Sequence, residues 1–348
     1  MIKKPAGALK PRQPKIGESM TDGLLPVVSI VIPVFNEERY LGSCLTSLMS
    51  LSYPKDRHEI LLVDNGSTDR TLEIAEEFSE IFIYVKKNVK VGAVRNYGVQ
   101  KAKGSVIVFL DSDCVVGPDW LINGIRKLAA TPNSVIGGQY LLRENPSWLE
   151  KNWILESSDR TVFLTTLVGG CIFIPENIFH QVGGFDEQLN AGEDSDLTER
   201  LTKAKFSVKI DPSLSVIHLG FPSRIRPFVM RQMWHSSDYI NGLPYSLQDK
   251  IFLLTLGFMV GLAGMLISLT FLSKDQVSLM VFTSLIVLSP AVLSIKRITR
   301  SGTKYKSIKD YISIYFVDVL YLFGRTMGVI SGIKNRLVLR PEAKVERR

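Results

Sequence analysis

The sequence predicts an α/β domain with a parallel sheet, followed by a region of apolar helices that belongs in a membrane. Early in the chain, short runs of Val, Ile and Leu alternate with helical patterns, as in parallel sheets that are covered on both faces. Towards the end of the chain, apolar segments are long enough to cross a bilayer. We therefore divide the chain into a disordered basic arm at residues 1–25, a folded domain at 26–245 and a membrane region with a basic tail at 250–348.

Predicted strands and helices alternate regularly over the first part of the folded domain. Asn36 directly follows the first strand and is expected to cap the first helix. Ligands of such sheets bind beyond the carboxyl ends of the strands, so residues at those ends are the first candidates for a site. The predicted strands are residues 27–35, 58–64, 81–86 and 105–111, and helical patterns cover 36–51 and 91–102.

Three apolar segments lie in the predicted membrane region, at about 251–272, 277–295 and 308–333. The first two are expected to form a spanning hairpin, because the first carries no charge and basic residues follow the second. The third contains two aspartates and an arginine. Charges at mid-membrane are costly, so an interfacial or packed helix is expected there rather than a third free span. Buried helices of a soluble domain are the alternative interpretation.

The net charge of +8 is concentrated at the two ends of the chain. Residues 296–348 contain 13 Lys or Arg and 4 Asp or Glu, whereas residues 26–250 contain 23 and 27. This distribution argues against a nucleic-acid partner and favours basic ends that rest on an anionic membrane leaflet. Cys44, Cys114 and Cys171 show no metal-ligand spacing, and we expect reduced thiols on a cytosolic side.

Two carboxylates, Asp111 and Asp113, stand one residue apart at the end of the fourth predicted strand. Side chains at positions i and i+2 of an extended chain can point the same way, and two such carboxylates repel each other. A divalent cation removes that repulsion, and Mg²⁺ or Mn²⁺ suits carboxylates completed by phosphate oxygens and water. A helix cap or an ordinary loop is the alternative interpretation of these two residues.

Asp64 and Arg95 are placed near the same edge of the predicted sheet. Asp64 ends the second strand and is followed by the turn-forming run NGSTD, so its carboxylate can accept hydrogen bonds from a base or a ribose. An Asx-turn is the alternative role of Asp64. The guanidinium of Arg95 suits a phosphate or a base carbonyl.

Several motifs, taken together, resemble the inverting glycosyltransferases of family 2. The resemblance covers roughly residues 27–240 and implies a Rossmann-like nucleotide-diphospho-sugar transferase fold of the GT-A type. No G-x-G-x-x-G follows the first strand, so a dinucleotide-binding dehydrogenase is disfavoured. The motifs, in chain order, are VSIVIPVFNEERYL, LLVDNGSTDRT, GAVRNYG, FLDSDCVVGPDWL, VGGFDE and GEDSDL.

This resemblance implies a binding site for the nucleotide-sugar and for a Mg²⁺ or Mn²⁺ ion. Asp64 would hold the base, usually uracil, and Asp113 would bind the metal that bridges the diphosphate, together with Asp111. His218 resembles a third metal ligand of some relatives, and a structural histidine is its alternative role. The residues implied for nucleotide-sugar binding are Pro33, Phe35, Glu37, Asp64, Arg95, Asp111 and Gly170.

The motif GEDSDL would supply the catalytic base of an inverting transfer. Such a base must lie within hydrogen-bonding reach of the acceptor hydroxyl. The resemblance favours Asp194 as the base. Glu193 is the close alternative for this role and would contact the acceptor. A helix cap formed by Asp194 or Ser195 is the structural interpretation of the same residues.

The sequence predicts the chemical class of the acceptor less specifically than that of the donor. Arg224, Arg226 and Arg231 form a basic cluster that would meet the diphosphate of a polyprenyl-linked acceptor, or would simply be a solvated basic face. The Gln-x-x-Arg-Trp motif of processive relatives does not occur at MRQMWHSSDY, which favours transfer of a single sugar.

The predicted protein is a membrane-bound transferase that moves a sugar, from a UDP-sugar by preference, to a hydroxyl of a lipid-linked or envelope-glycan acceptor. Its expected partners are the donor, the acceptor and membrane lipids, without nucleic acid. It would sit in the cell (inner) membrane as a multi-pass protein, with the catalytic domain and the tail cytoplasmic. A transferase that uses polyprenyl phosphate itself as acceptor and a catalytically silent membrane scaffold are the alternatives.

Overall fold

The computed structural model describes residues 25–155, 166–237, 239–240, 243–271, 276–301 and 307–338. Almost all of the predicted basic arm and the end of the basic tail lie outside these residues. The chain forms two compact units. The first comprises Met1–Leu141 with Leu164–Leu219, and the second comprises Leu142–Phe163 with Gly220–Arg348. The predicted domain boundaries at 26–245 and 250–348 stay predictions.

A seven-stranded sheet with the strand order β3-β2-β1-β4-β8-β6-β9 organises the first unit. The first four strands in this order are parallel, β8 runs antiparallel to β4 and β6, and β9 is parallel to β6. The predicted α/β fold class is confirmed, but the predicted parallel sheet is mixed, because β8 runs antiparallel to both of its neighbours. The strands are β1 Val28–Val34, β2 His58–Asp64, β3 Ile81–Val85, β4 Val106–Leu110, β6 Ser134–Gly137, β8 Cys171–Pro175 and β9 Ser207–Ile210.

Helices cover both faces of this sheet, which explains why β1 and β4 are buried along their whole length. Leu45 of α1 and Ile125 of α4 belong to one core cluster, and Phe179 of α6 and Leu201 of α7 belong to the other. The helices of the first unit are α1 Leu41–Met49, α2 Thr71–Glu76, α3 Val91–Lys101, α4 Trp120–Ala129, α6 Glu176–Gln181 and α7 Glu193–Lys203.

The predicted start of the first helix was wrong. Helix α1 begins at Leu41, and Asn36 adopts a left-handed backbone with φ of 54°. The Asn36 side chain accepts a hydrogen bond from the backbone N–H of Thr68 at 2.8 Å instead of capping a helix. Asn36 therefore ties together the loops after β1 and β2, at the carboxyl edge of the sheet.

A second, three-stranded sheet lies in the same unit and has the order β5-β10-β7. Its strands are β5 Cys114–Val115, β7 Tyr140–Leu141 and β10 Val216–His218. His218 is paired with Cys114 across the antiparallel β5–β10 ladder. The small sheet thereby brings a histidine distant in sequence next to the residues that follow β4.

The second unit is helical in its described residues. Three of its helices are long and apolar enough to cross a membrane, over Lys250–Thr270, Gln276–Ser301 and Ile308–Lys334. Pro290 lies inside the second of these helices. The helices of this unit are α5 Trp148–Trp153, α8 Ile225–Ser236, α9 Leu243–Ser246, α10 Lys250–Phe271, α11 Gln276–Ser301 and α12 Ile308–Val338.

A hydrophobic cluster joins the short and the long helices of the second unit. It contains Leu149 of α5, Phe228 of α8, Leu293 of α11 and Leu322 of α12, each at most 3% exposed. The packing of a short, partly charged helix such as α5 against the long apolar helices is not evident from the hydropathy of the sequence.

Candidate active site

The carboxyl ends of three parallel strands bring the first candidate residues to one edge of the large sheet. Val34 at the end of β1 is in register with Asp64 at the end of β2. Val31 is in register with Phe109 of β4, so the segment that follows β4 reaches the same edge. Asp111 lies in that segment, directly after the strand.

Arg95 is the centre of a buried ion-pair network at this edge. It projects from helix α3 and is only 3% exposed. Its Nη2 donates to Oδ1 of Asp111 at 2.8 Å, and its Nη1 donates to Oε1 of Glu193 at 2.6 Å. Although burial opposes its charge, the two carboxylates raise the pKa of Arg95 above its ordinary value. Arg95 thus joins the acidic residue after β4 to the acidic pair that opens α7.

Two glycines leave room for this network. A Cβ atom on Gly169 would lie 2.6 Å from Nη2 of Arg95. A Cβ atom on Gly170 would lie 2.6 Å from Oδ2 of Asp111 and 2.7 Å from the hydroxyl oxygen of Tyr140. Real Cβ contacts are not this short, so a side chain at either position would displace a charged group of the site.

Tyr140 is a site residue that the sequence analysis missed. Its hydroxyl donates to Oδ2 of Asp111 at 2.8 Å and accepts a hydrogen bond from the backbone N–H of Gly170 at 3.0 Å. Its ring packs edge-to-face on His218, with the ring centroids 4.6 Å apart. Burial and the neighbouring Asp111 raise the pKa of Tyr140 well above its ordinary value, so the hydroxyl keeps its proton.

Asp111, Asp113, Cys114 and His218 form a cluster of potential metal ligands. One ligand atom from each residue can be chosen so that all four lie within 4.8 Å of one another. Nε2 of His218 is 3.5 Å from Oδ2 of Asp113. Two carboxylates and an imidazole fit a divalent cation, and the thiol of Cys114 adds a softer donor. The cluster therefore has the composition that the predicted metal site requires.

The two aspartates of this cluster are the more accessible of its members. The side chains of Asp111 and Asp113 are 24% and 14% exposed, whereas the His218 side chain is 4% exposed. Burial opposes the charge of Asp111, but Arg95, the Tyr140 hydroxyl and His218 together hold the pKa of its carboxyl below its usual range. Asp111 is therefore ionised at neutral pH.

Glu193 and Asp194, the two candidates for the base, have different environments. Glu193 is 8% exposed and is engaged by Arg95. Asp194 accepts hydrogen bonds from the backbone N–H groups of Gly169 at 3.2 Å and of Ser195 at 2.7 Å. Burial and the adjacent Glu193 raise the pKa of Asp194 above its usual range. The N-cap position of α7 belongs to Gly192, so neither Asp194 nor Ser195 caps the helix.

The carboxylate of Asp64 is occupied within its own loop. It is fully buried, and its oxygens accept hydrogen bonds from the backbone N–H groups of Gly66 at 2.8 Å and Ser67 at 3.1 Å. This is the Asx-turn that the sequence analysis left open as an alternative. The contact of Asp64 with a base stays a prediction.

The remaining predicted residues lie in two places. Pro33 is buried near the end of β1, Phe35 is 52% exposed just after the strand, and Glu37 is partly buried. Arg224, Arg226 and Arg231 belong to the second compact unit, at the start of α8 and within it, and the first two are exposed. Their roles with the nucleotide and the acceptor stay predictions.

A mixed sheet of this order is the core of the GT-A type of glycosyltransferase fold. A similar structure is that of the mannosyltransferase PcManGT from Pyrobaculum calidifontis in complex with GDP-Man and Mn²⁺. The alignment covers 90% of this chain and 88% of that chain, with a TM-score of 0.53 and 16% sequence identity. At this level of identity the similarity concerns the fold.

Two family models match the chain between residues 29 and 219. Residues 29–174 match Glycosyl transferase family 2, and residues 153–219 match the N-terminal domain of galactosyltransferase. The match to glycosyl transferase family 2 covers less than half of the chain and includes Asp64, Arg95, Asp111 and Asp113.

Two curated proteins illustrate the range of similarity to this domain. Glycosyltransferase AglE of Haloferax volcanii is 33% identical over 199 residues, which are 53% of this chain and 64% of that protein. Probable glycosyltransferase YdaM of Bacillus subtilis is 28% identical over 221 residues, which are 58% of this chain and 52% of that protein. The chain thus spans about half to two thirds of the length of these relatives.

Proposed function

We propose that the protein is a membrane-bound inverting glycosyltransferase that moves one sugar from a nucleotide-diphospho-sugar to an acceptor hydroxyl. The observation that supports this most directly is the Arg95 network, which gathers Asp111, Glu193 and the adjacent carboxylates at the carboxyl edge of the sheet. Ligands of open α/β sheets bind at that edge. The match to glycosyl transferase family 2 supports the reaction class.

The donor would bind over the Asp111–Asp113 segment. A divalent cation held by Asp113, Asp111 and His218 would neutralise charge on the departing nucleoside diphosphate. Among the chain's own residues, Arg95 and Tyr140 fix the carboxylate of Asp111, and Gly170, which leaves room for that carboxylate and for the Tyr140 hydroxyl, would lie under the donor sugar. Pro33, Phe35, Glu37 and Asp64 would line the nucleotide side.

Asp194 is the proposed base. Inversion requires a carboxylate that takes the proton of the acceptor hydroxyl while the hydroxyl oxygen attacks the anomeric carbon opposite the leaving group. Two backbone N–H groups orient Asp194, and its raised pKa makes it a better proton acceptor than an ordinary aspartate. Glu193 would position the site through Arg95.

The acceptor would be a lipid-linked or envelope glycan at the cytoplasmic face of the cell (inner) membrane, and UDP-sugars are the first donors to test. Three helices with membrane-spanning length and composition support a membrane location. The exposed Arg224 and Arg226 would meet an acceptor diphosphate together with Arg231.

The test is a titration of the full chain in detergent with a panel of UDP- and GDP-sugars, with and without Mn²⁺, followed by transfer assays. One panel arm offers glycan hydroxyl acceptors and the other offers polyprenyl phosphate. Metal-dependent binding of one donor that is lost in Asp113→Ala is the expected result. Glu199→Ala is the matched control, because Glu199 is exposed on α7 and pairs with Lys203. If folded protein bound no nucleotide-sugar, the proposal would fail and a membrane scaffold would remain.

A further inference from the structure

Helix α12 presents an apolar stripe on its exposed face. Its members are three or four residues apart, except for a step of seven residues between Phe316 and Phe323, and they follow the helix over most of its 31 residues. Exposed Lys309 lies near one end of the helix, and exposed Lys334 and Arg336 lie near the other. The stripe consists of Ile308, Ile312, Phe316, Phe323, Met327 and Ile330, with exposed fractions of 75%, 61%, 46%, 44%, 39% and 47%.

The first half of α12 packs against the short helix α5. Nε1 of Trp148 donates to Oγ of Ser313 at 3.2 Å. The ring of Trp153 stacks on that of Tyr321, with the centroids 4.8 Å apart. Helix α5 has the sequence WLEKNW and carries an exposed lysine, Lys151, so it is not a helix for the interior of a bilayer.

The second half of α12 packs against α8, over a row of three glycines spaced four residues apart. A Cβ atom on Gly324 would lie 2.8 Å from the carbonyl oxygen of Val229. A Cβ atom on Gly328 would lie 2.1 Å from the Oγ of Ser236. The row therefore allows backbone contact with α8, a 12-residue helix with the sequence IRPFVMRQMWHS that carries two arginines.

These contacts bear on two placements of α12, which also packs against Phe258 of α10 and Leu293 of α11. Ser313 to Gly332 is a rise of about 28 Å at 1.5 Å per residue, close to the ~30 Å thickness of a hydrocarbon core. If α12 spanned the bilayer, α5 and α8 would lie within the core beside it. Lys151, Arg226 and Arg231 would then be in hydrocarbon, where each charge costs about 2.5–3.5 kcal/mol even on the most lenient scale.

We propose that α12 is an interfacial helix that lies along the boundary between headgroups and acyl chains of an anionic leaflet, and that only α10 and α11 cross the membrane. The apolar stripe would face the acyl chains, with the lysines and the arginine at its ends near lipid phosphates. Exposed Met230 and Trp234 of α8 suit the same boundary. This placement does not depend on the proposed glycosyl transfer.

The first experiment compares the two ends of α12 in the full chain, using Lys309→Cys and Lys334→Cys. Each variant is labelled with a membrane-impermeant maleimide in intact spheroplasts and in inverted vesicles. Both cysteines are expected to react from the same side. Reaction from opposite sides would show that α12 spans the membrane and would overturn the proposal. The unsubstituted protein is the background control, because Cys44, Cys114 and Cys171 are all buried.

The second experiment measures depth along the stripe. Ile312→Cys, Phe323→Cys and Ile330→Cys carry a nitroxide, and the ratio of oxygen to nickel-chelate collision rates gives the depth of each. Equal, shallow depths are expected. A maximum at position 323, or water exposure at all three positions, would overturn the proposal. Val260→Cys on α10 is the matched control and should be deep, because its helix is the most apolar of the three.

Discussion

Each compact unit pairs an arginine with a carboxylate, but the two arginines have different surroundings. Arg95 contacts two carboxylates, and further acidic residues lie next to both of them. Arg297 of α11 pairs with Asp318 of α12 and also donates to the backbone carbonyl of Asn152 at 2.9 Å. Negative charge exceeds positive charge in the first network and balances it in the second. We infer that the first is built for a cationic or proton-donating ligand and the second links helices.

The largest expected effect is that of Asp194→Asn on transfer. The amide cannot take the proton of the acceptor hydroxyl, so kcat should fall by about 10²–10⁴-fold while the affinity for the nucleotide-sugar stays close to that of the unsubstituted protein. The matched control is Asp196→Asn on the same helix, where Asp196 pairs with Arg200 on the protein's surface. Steady-state kinetics and donor titration measure both quantities.

If Asp194→Asn were as active as the control variant, Asp194 would not be the base. In that case Glu193→Gln, which keeps an acceptor for Arg95, would have to show the large loss in kcat instead. A parallel loss of donor affinity in Asp194→Asn would point to a binding role.

The comparison between the two arginines predicts different responses to removal of charge. Arg297→Met leaves Asp318 buried without its cation and should destabilise the protein by about 3–5 kcal/mol. The double substitution Arg297→Met/Asp318→Leu removes both charges and should recover most of that loss. Arg95→Met should be as costly, because it leaves Asp111 and Glu193 without their cation. Thermal unfolding of the full chain in detergent measures the three variants.

The order of thermal stability among these variants tests the inference that the pair of Arg297 and Asp318 links helices. A double variant no more stable than Arg297→Met alone would show that Asp318 has a role beyond its pairing with Arg297. Its hydrogen bond from Ser294 at 2.6 Å would then be the next contact to examine.

Candidate site residues could be named from the sequence where each one is tied to a local element. Asp111 follows an apolar strand, and Glu193 and Asp194 open a helix, so motif order alone places them at candidate positions. Tyr140 could not be predicted in this way, because it reaches the site through the pairing of β7 with β10, which is distant in sequence. Asn36 was misjudged because its partner, Thr68, lies 32 residues away.

The packing of α5 against the long helices could not be predicted from the sequence either. Its partners on α12 lie more than 150 residues further along the chain, and its sequence resembles that of an ordinary surface helix. The three long helices themselves were predictable, because each lies on a long apolar segment of the sequence.

A smaller effect is expected on the pH dependence of transfer. The proposed base, Asp194, must be ionised, so kcat should fall as the pH is lowered through its pKa. Burial and Glu193 raise that pKa, which places the acidic limb above the value near 3.9 of an ordinary aspartate. Glu193→Gln removes the neighbouring charge and should move the limb to lower pH. An acidic limb that does not move would show that another group controls it.

The smallest predicted effect is that of Tyr140→Phe. This variant distinguishes a role of Tyr140 in positioning Asp111 from a role in the stability of the fold. The variant loses the hydroxyl that donates to Asp111 and accepts from Gly170, so kcat/KM for the donor should fall about tenfold, the equivalent of roughly 1.4 kcal/mol. Tyr53→Phe is the matched control, because the buried Tyr53 hydroxyl donates to the carbonyl of Pro26 at 2.6 Å. Both variants should lower the unfolding temperature to a similar extent, but only Tyr140→Phe should weaken Mn²⁺ binding measured by titration in the presence of the nucleotide. Equal kcat/KM and equal Mn²⁺ affinity in the two variants would make Tyr140 a structural residue and would leave Arg95 to hold Asp111.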